Sequence, residues 1–136
     1  MTEEELDIAW RALWKRIEAG DTLARWELDW LHVGNLTALI NNGGLSSYFY
    51  NSGADDFLDC IAALERLQAV DAKRVVLRYA SLFGDRVPKD GDDRNRIMSS
   101  WDETVDEEID SIEKEMWPLV SDLESKLAAF VRAHMR

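Results

Sequence analysis

The chain lacks most of the residue patterns that mark catalytic, metal-binding or exported proteins. It holds one cysteine, Cys60, so no intramolecular disulfide can form and the simplest compartment is a reducing one. That cysteine lies in the apolar run Phe57-Leu58-Asp59-Cys60-Ile61-Ala62-Ala63-Leu64, which predicts a buried structural thiol rather than a reactive one. The two histidines, His32 and His134, are far apart in sequence and neither has a second ligand at i+3 or i+4, so a zinc or di-iron site on one helix has no support. No Gly-x-Ser-x-Gly, cysteine-histidine pair signature or phosphate-binding glycine loop occurs, and the doublet Gly43-Gly44 follows a helical pattern rather than a strand. These absences predict no catalytic residues, no cofactor and no metal.

Apolar runs are short too. None approaches the roughly 20 residues that span a bilayer. The opening Met1-Thr2-Glu3-Glu4-Glu5 is acidic where a secretory signal needs bases followed by an apolar core, so a cytoplasmic location is expected. Basic residues are scarce, 16 Lys and Arg against 27 Asp and Glu, for a net charge of -11. Such a surface repels nucleic acid and anionic membranes, so neither is expected as a direct ligand.

The residues present point to a folded helical protein. A hydrophobic content of 46% over 136 residues is enough for one domain with its own core. Every convincing periodicity is helical and no run alternates long enough for a strand. The expected fold is all-α, a compact domain of about six to seven helices, in which residues 1–20 form an N-terminal helix preceding a unit over 21–136. Thr2 and Glu5 form a capping box for the first helix, which carries Leu6, Trp10, Leu13, Trp14 and Ile17 on one face and ends at Gly20. Asp21 is expected to cap a second helix through Trp26, Trp30, Val33 and Ile40, weakened in its middle by Gly34 and closed by Asn41-Asn42-Gly43-Gly44. Leu45 to Tyr50 should add one or two helical turns. Helices starting at Asp55 or Asp56 and at Asp71 should form a central antiparallel hairpin that stops at Gly84. Residues 85–93 are turn-rich and polar, the best candidate for a mobile loop. The pairs Trp10/Trp14 and Trp26/Trp30 read first as core packing, with an exposed interface as the alternative.

The acidic C-terminal segment is the most informative feature. Residues 102 to 124 hold ten acids against one base, Lys114. From Arg94 onward Met98, Trp101, Val105, Ile109, Ile112 and Met116 recur every three or four residues as one seam, with a break expected at Trp117-Pro118 and a last helix burying Val120, Leu123, Leu127 and Phe130. With Val105, Ile109, Ile112 and Met116 facing the core, Glu103, Asp106, Glu107, Asp110 and Glu113 should point to water. Carboxylates at that spacing recur every ~5 Å of helix axis, against one phosphate per about 3.4 Å along a DNA strand. The line charge is of the same order. These five acids are the candidate partner-binding residues, and a solvated helix face is their plain alternative.

The stretch from Asn41 to Arg96 carries a resemblance. Asn41-Asn42-Gly43-Gly44, then Tyr48-Phe49 and Asn51-Ser52-Gly53, then Ala63-Leu64-Glu65, then Phe83-Gly84, Pro88 and the Arg-x-Arg of Arg94 and Arg96 together resemble the bacterial DNA-mimic protein family. The likeness extends more loosely from the second helix to the C-terminus. The chain departs from the family in having Leu45 after the glycine pair, where phenylalanine is usual, and Gln68 where the turn between the central helices usually has glycine. The matching residues are helix stops, turns and aromatic plugs, so they identify a fold rather than a binding site. The resemblance implies an all-helical, dimeric protein whose acidic surface imitates duplex DNA and occupies the DNA-binding face of a transcriptional regulator.

Three functions follow. The first is a non-enzymatic DNA mimic that docks on a basic protein surface, with a homodimer expected. The second is a toxin-immunity or antitoxin-like protein, gripping its target through shape and a few hot spots. The third is a small enzyme or ligand-binding module, which would need a deep apolar pocket with converging polar groups. Pairing of the acidic segment with Arg94, Arg96 or Lys114 would count against the first.

Overall fold

In the computed structural model, which describes residues 2–135, Thr2 Oγ1 accepts a hydrogen bond from the Glu5 N–H at 3.1 Å and starts α1 (Glu3–Glu18). Glu3, Glu4 and Glu5 in its first turn and Lys15 and Arg16 in its last match the sign of the helix dipole. Gly20, at φ +79°, ends it. Along the rest of the chain follow α2 (Arg25–Tyr50), a 3-10 turn (Ser52–Asp56), α3 (Phe57–Arg66), α4 (Val70–Ala80), a second 3-10 turn (Ser81–Phe83), α5 (Gly91–Ser99), α6 (Glu103–Met116), a third 3-10 turn (Trp117–Leu119) and α7 (Val120–His134). The fold is all-α, with seven α-helices and no strand among the described residues.

α2 is the axis of the molecule, and α3, α5, α6 and α7 all pack on it. Its buried residues include Trp30, Val33, Leu36, Ile40, Leu45, Tyr48 and Phe49. It does not start at Asp21. Residues 21–24 are non-helical, and the Glu27 side chain instead reaches back to the Ala24 N–H at 2.9 Å while pairing with Arg16, which supplies the cap that Asp21 was expected to give. Nor does Asp71 cap α4, which begins one residue earlier with no side-chain cap. Gly34 proves to be a point of close approach. A Cβ there would lie 2.6 Å from the Trp10 ring.

The hydrogen-bonded run of α2 continues to Tyr50 with its geometry broken at Gly43 (φ -172°, ψ 24°) and Gly44 (φ 78°, ψ -171°). The expected stop and the short aromatic helix beyond it therefore form one kinked element. Phe49 on the far side stacks on Tyr79 of α4 at 4.7 Å and 9°, with Phe57, Phe83 and Tyr48 around it. α3 and α4 pack against each other across a short link, as the hairpin expectation required, and Arg66 of α3 holds the buried Asp29 of α2 through two hydrogen bonds of 2.6 and 2.7 Å.

The loop expected to be mobile is fastened from inside. Arg94, fully buried, donates to the carbonyls of Phe49, Asn51, Pro88 and Lys89 at 2.8 to 3.0 Å and to Asp55 at 2.7 Å. Four carbonyls and one carboxylate satisfy a buried guanidinium that would otherwise be prohibitively costly. The expected seam from Arg94 to Met116 is broken once, where α5 ends at Ser99 and Asp102 accepts from the N–H groups of Thr104 and Val105 to start α6. The break near Pro118 is present, with the proline in the first turn of the 3-10 segment. No described helix is long and apolar enough to cross a membrane.

Candidate protein interface

α6 meets α4 and the kink of α2. Ile112 and Met116 are buried, and Val105 and Ile109 half-buried, so the apolar stripe faces inward as its phase predicts. Of the five predicted ridge residues, Glu103, Asp106, Glu107 and Asp110 are exposed and form no ion pair among the described residues. Glu103, Glu107 and Asp110 follow one another at the helical repeat along the side away from the core, with Asp106 beside them. Lys114 is exposed further along α6 and forms no ion pair among the described residues.

The fifth, Glu113, does not point to water. Its carboxylate accepts from the Leu45 N–H at 2.7 Å and the Ser46 N–H at 3.3 Å, the donors released where the glycine pair breaks α2. It thus caps the restarted half of that helix. Its position explains the error: it lies four residues after Ile109 and three before Met116, at the border of the inner stripe. The Gly43-Gly44 pair was the available signal, because a helix that breaks and restarts inside a fold needs an acceptor for its new N–H groups. A Cβ on Gly44 would collide with the Glu113 carboxyl group. Burial holds the Glu113 pKa above the ordinary carboxylate range; the two amides pull it down and the Asp110 charge pushes it up. Nearby, Tyr79 donates or accepts a 2.8 Å hydrogen bond with Ser46, and burial, with Glu113 and Asp106 adding to it, pushes its phenol up to about 12.

The other flank of α6 is neutralised. Arg78 of α4 binds Glu108 at 2.8 Å and Glu115 at 3.2 Å, and Arg74 binds Glu115 at 3.2 Å. The hydrogen bond from Arg74, with Arg78 adding to it, holds Glu115 below the usual carboxylate range. The cations named from the sequence do something else: Arg94 is the buried fastener described above, and Arg96 pairs with Asp93 at 3.1 Å. Linear sequence could not reveal that α4 brings its arginines alongside, because that depends on how two helices cross. The uncompensated charge is therefore narrower than the acidic segment, a row of four on one side of α6.

The remaining candidates settle into the core or its edges. Cys60 is 1% exposed, its Sγ sits 3.8 Å from the His32 carbonyl, and burial pushes its thiol up to about 12. Trp30 is buried, with Trp10 and Trp26 packed against it at 5.5 and 6.2 Å, so both tryptophan pairs contribute to packing. His134 stacks on Trp26 at 5.6 Å. No group of three or more His, Cys, Asp or Glu among the described residues could hold a metal ion. A hollow of about 900 Å³ between α3, α4 and the segment 84–90 is an open surface depression whose wall includes the exposed Leu58 and Leu77.

No curated protein and no solved structure matches the chain. A family model described as DMP19-like protein matches residues 21–134, everything from the segment before α2 to the end of α7. With the kinked glycine pair, the aromatic plug and the buried arginine all inside that span, the chain belongs to the DMP19-like protein family.

Proposed function

We propose that the protein is a non-catalytic binding protein that imitates the charge of a DNA strand and docks the outer side of α6 on a basic protein surface, such as the DNA-binding face of a transcriptional regulator. The observation that carries this reading is the row Glu103, Asp106, Glu107 and Asp110, exposed and without a cationic partner among the described residues. Its four carboxylates span seven residue steps, about 10 Å of helix axis, so that one charge falls per about 3.5 Å, comparable to phosphate spacing along a strand. The apolar stripe beneath fixes the row in place, so little ordering remains to be done on binding. Membership of the DMP19-like family supports the same reading. A homodimer in the cytoplasm would present two such rows together, lengthening the imitation.

The test replaces Glu103 and Glu107 by glutamine and Asp106 and Asp110 by asparagine, leaving Glu113 in place because it caps α2. Wild-type protein used as bait in a cell extract should capture a basic protein that elutes early in a salt gradient. The neutralised protein should keep its helical circular dichroism and capture nothing. Equal capture by both would remove charge as the mechanism. A toxin-immunity type of contact would then be favoured, resting on exposed apolar groups such as Trp117 (47% exposed) and Tyr50 (59%).

A further inference from the structure

One basic helix already grips α6, and that helix is α4. Arg74 and Arg78 lie four residues apart, on one face of α4, and reach three acceptors on α6. Arg78 Nη2 donates to Glu108 at 2.8 Å and to Ser111 Oγ at 3.3 Å, and its Nη1 donates to Glu115 at 3.2 Å. Arg74 donates to the same Glu115 at 3.2 Å. The earlier arginine meets the later glutamate, so the two helices run antiparallel. Glu108 and Glu115 stand seven residue steps apart, two turns or about 10 Å of axis.

The pattern occurs a second time on α6, displaced by five residues. Glu103, Asp106 and Asp110 have the order and spacing of Glu108, Ser111 and Glu115, with an acid in place of the serine. A five-residue step turns the set by about 140° round the helix, away from α4. All three side chains are exposed and form no ion pair among the described residues. The second set thus repeats the acceptor geometry that α4 fills on the first, with more negative charge. Resting on the reading of this side of α6 as a docking face, we propose that the partner segment it takes is a helix of the same kind as α4. That helix lies antiparallel to α6 and carries arginines at i and i+4, the first against Asp110 and the second bridging Asp110, Asp106 and Glu103. Lysine serves less well, because a guanidinium donates to acceptors on successive turns, as Arg78 does, whereas an ammonium is a single point of charge.

The probes are stapled, alanine-based helical peptides of equal charge, titrated against the full chain at low salt by fluorescence anisotropy. One carries two arginines at i and i+4, a second carries them at i and i+2 on different faces, and a third has two lysines at i and i+4. The first should bind about tenfold tighter than the second and measurably tighter than the third. Glu103→Gln with Asp110→Asn should abolish that preference while leaving circular dichroism unchanged. A nitroxide on the N-terminus of the first peptide should broaden amide signals near Asp110 more than those near Glu103. Equal binding of the three peptides, weakened by neutralising all four acids of the row, overturns the helical template and leaves charge docking standing. Stronger broadening near Glu103 overturns the antiparallel arrangement and the proposal with it. Binding of none of the peptides, or binding untouched by that neutralisation, overturns both.

Discussion

Gln68 has φ +58°, and it is the non-glycine residue that the described backbone holds in the left-handed region. It closes the link between α3 and α4, where the Gln68 and Ala69 amides bond back to the carbonyls of Glu65 and Leu64 at 3.0 Å. A side chain with a Cβ pays about 1–2 kcal/mol in that conformation, and glycine avoids this at some cost in unfolded-state entropy. Gln68→Gly should therefore stabilise the protein by about 1 kcal/mol, read as a rise in the thermal midpoint. A fall would mean the side chain has a compensating contact. Glu113 gives a prediction of opposite character. Its folded pKa lies above the ordinary 4.5, so the stability it contributes is fully present below that value and is lost as pH rises through the folded one. Glu113→Gln removes this loss. In urea unfolding at a series of pH values, the variant should gain on wild type across that interval, and parallel curves would contradict the assignment.

At the scale of elements, much was legible. The Thr2 cap, the stop at Gly20, the apolar stripe of α6 and the break at Pro118 all follow from local rules and all appear. The candidate-site error fell where the decisive partner is distant in sequence, Glu113 being drawn inward by amides of α2, whereas Asp21 was displaced by a local cap, Glu27 on the Ala24 N–H, that also serves Arg16. The pairing of Glu108 and Glu115 with arginines of α4 is likewise long-range. Periodicity records which face of a helix is inward, but its flanks belong to whichever neighbour packs there. Arg94 shows how far such long-range ties reach: one side chain joins the end of α2, the following 3-10 turn and the segment before α5. Arg94→Met would leave four carbonyls and Asp55 without their donor, and should cost about 3–5 kcal/mol in chemical denaturation. A loss below about 1 kcal/mol would show that water replaces it freely.

Over the whole molecule, charge sets the response to solvent. A net -11 on a small fold repels itself, and only part of that repulsion is offset by ion pairs such as those between α4 and α6. Raising sodium chloride from about 10 mM to about 150 mM shortens the screening length from about 30 Å to about 8 Å, so the thermal midpoint should rise with salt. A flat or falling midpoint would mean that the ion pairs outweigh the excess acids. Cys60 carries a different consequence of the same architecture. Because the chain's one sulfhydryl is sealed beside α2, a water-soluble thiol reagent can reach it only when the interior opens. The rate of its modification is then a built-in clock for the rarest excursions of the native fold, needing no added label and unaffected by fraying at either end of the chain.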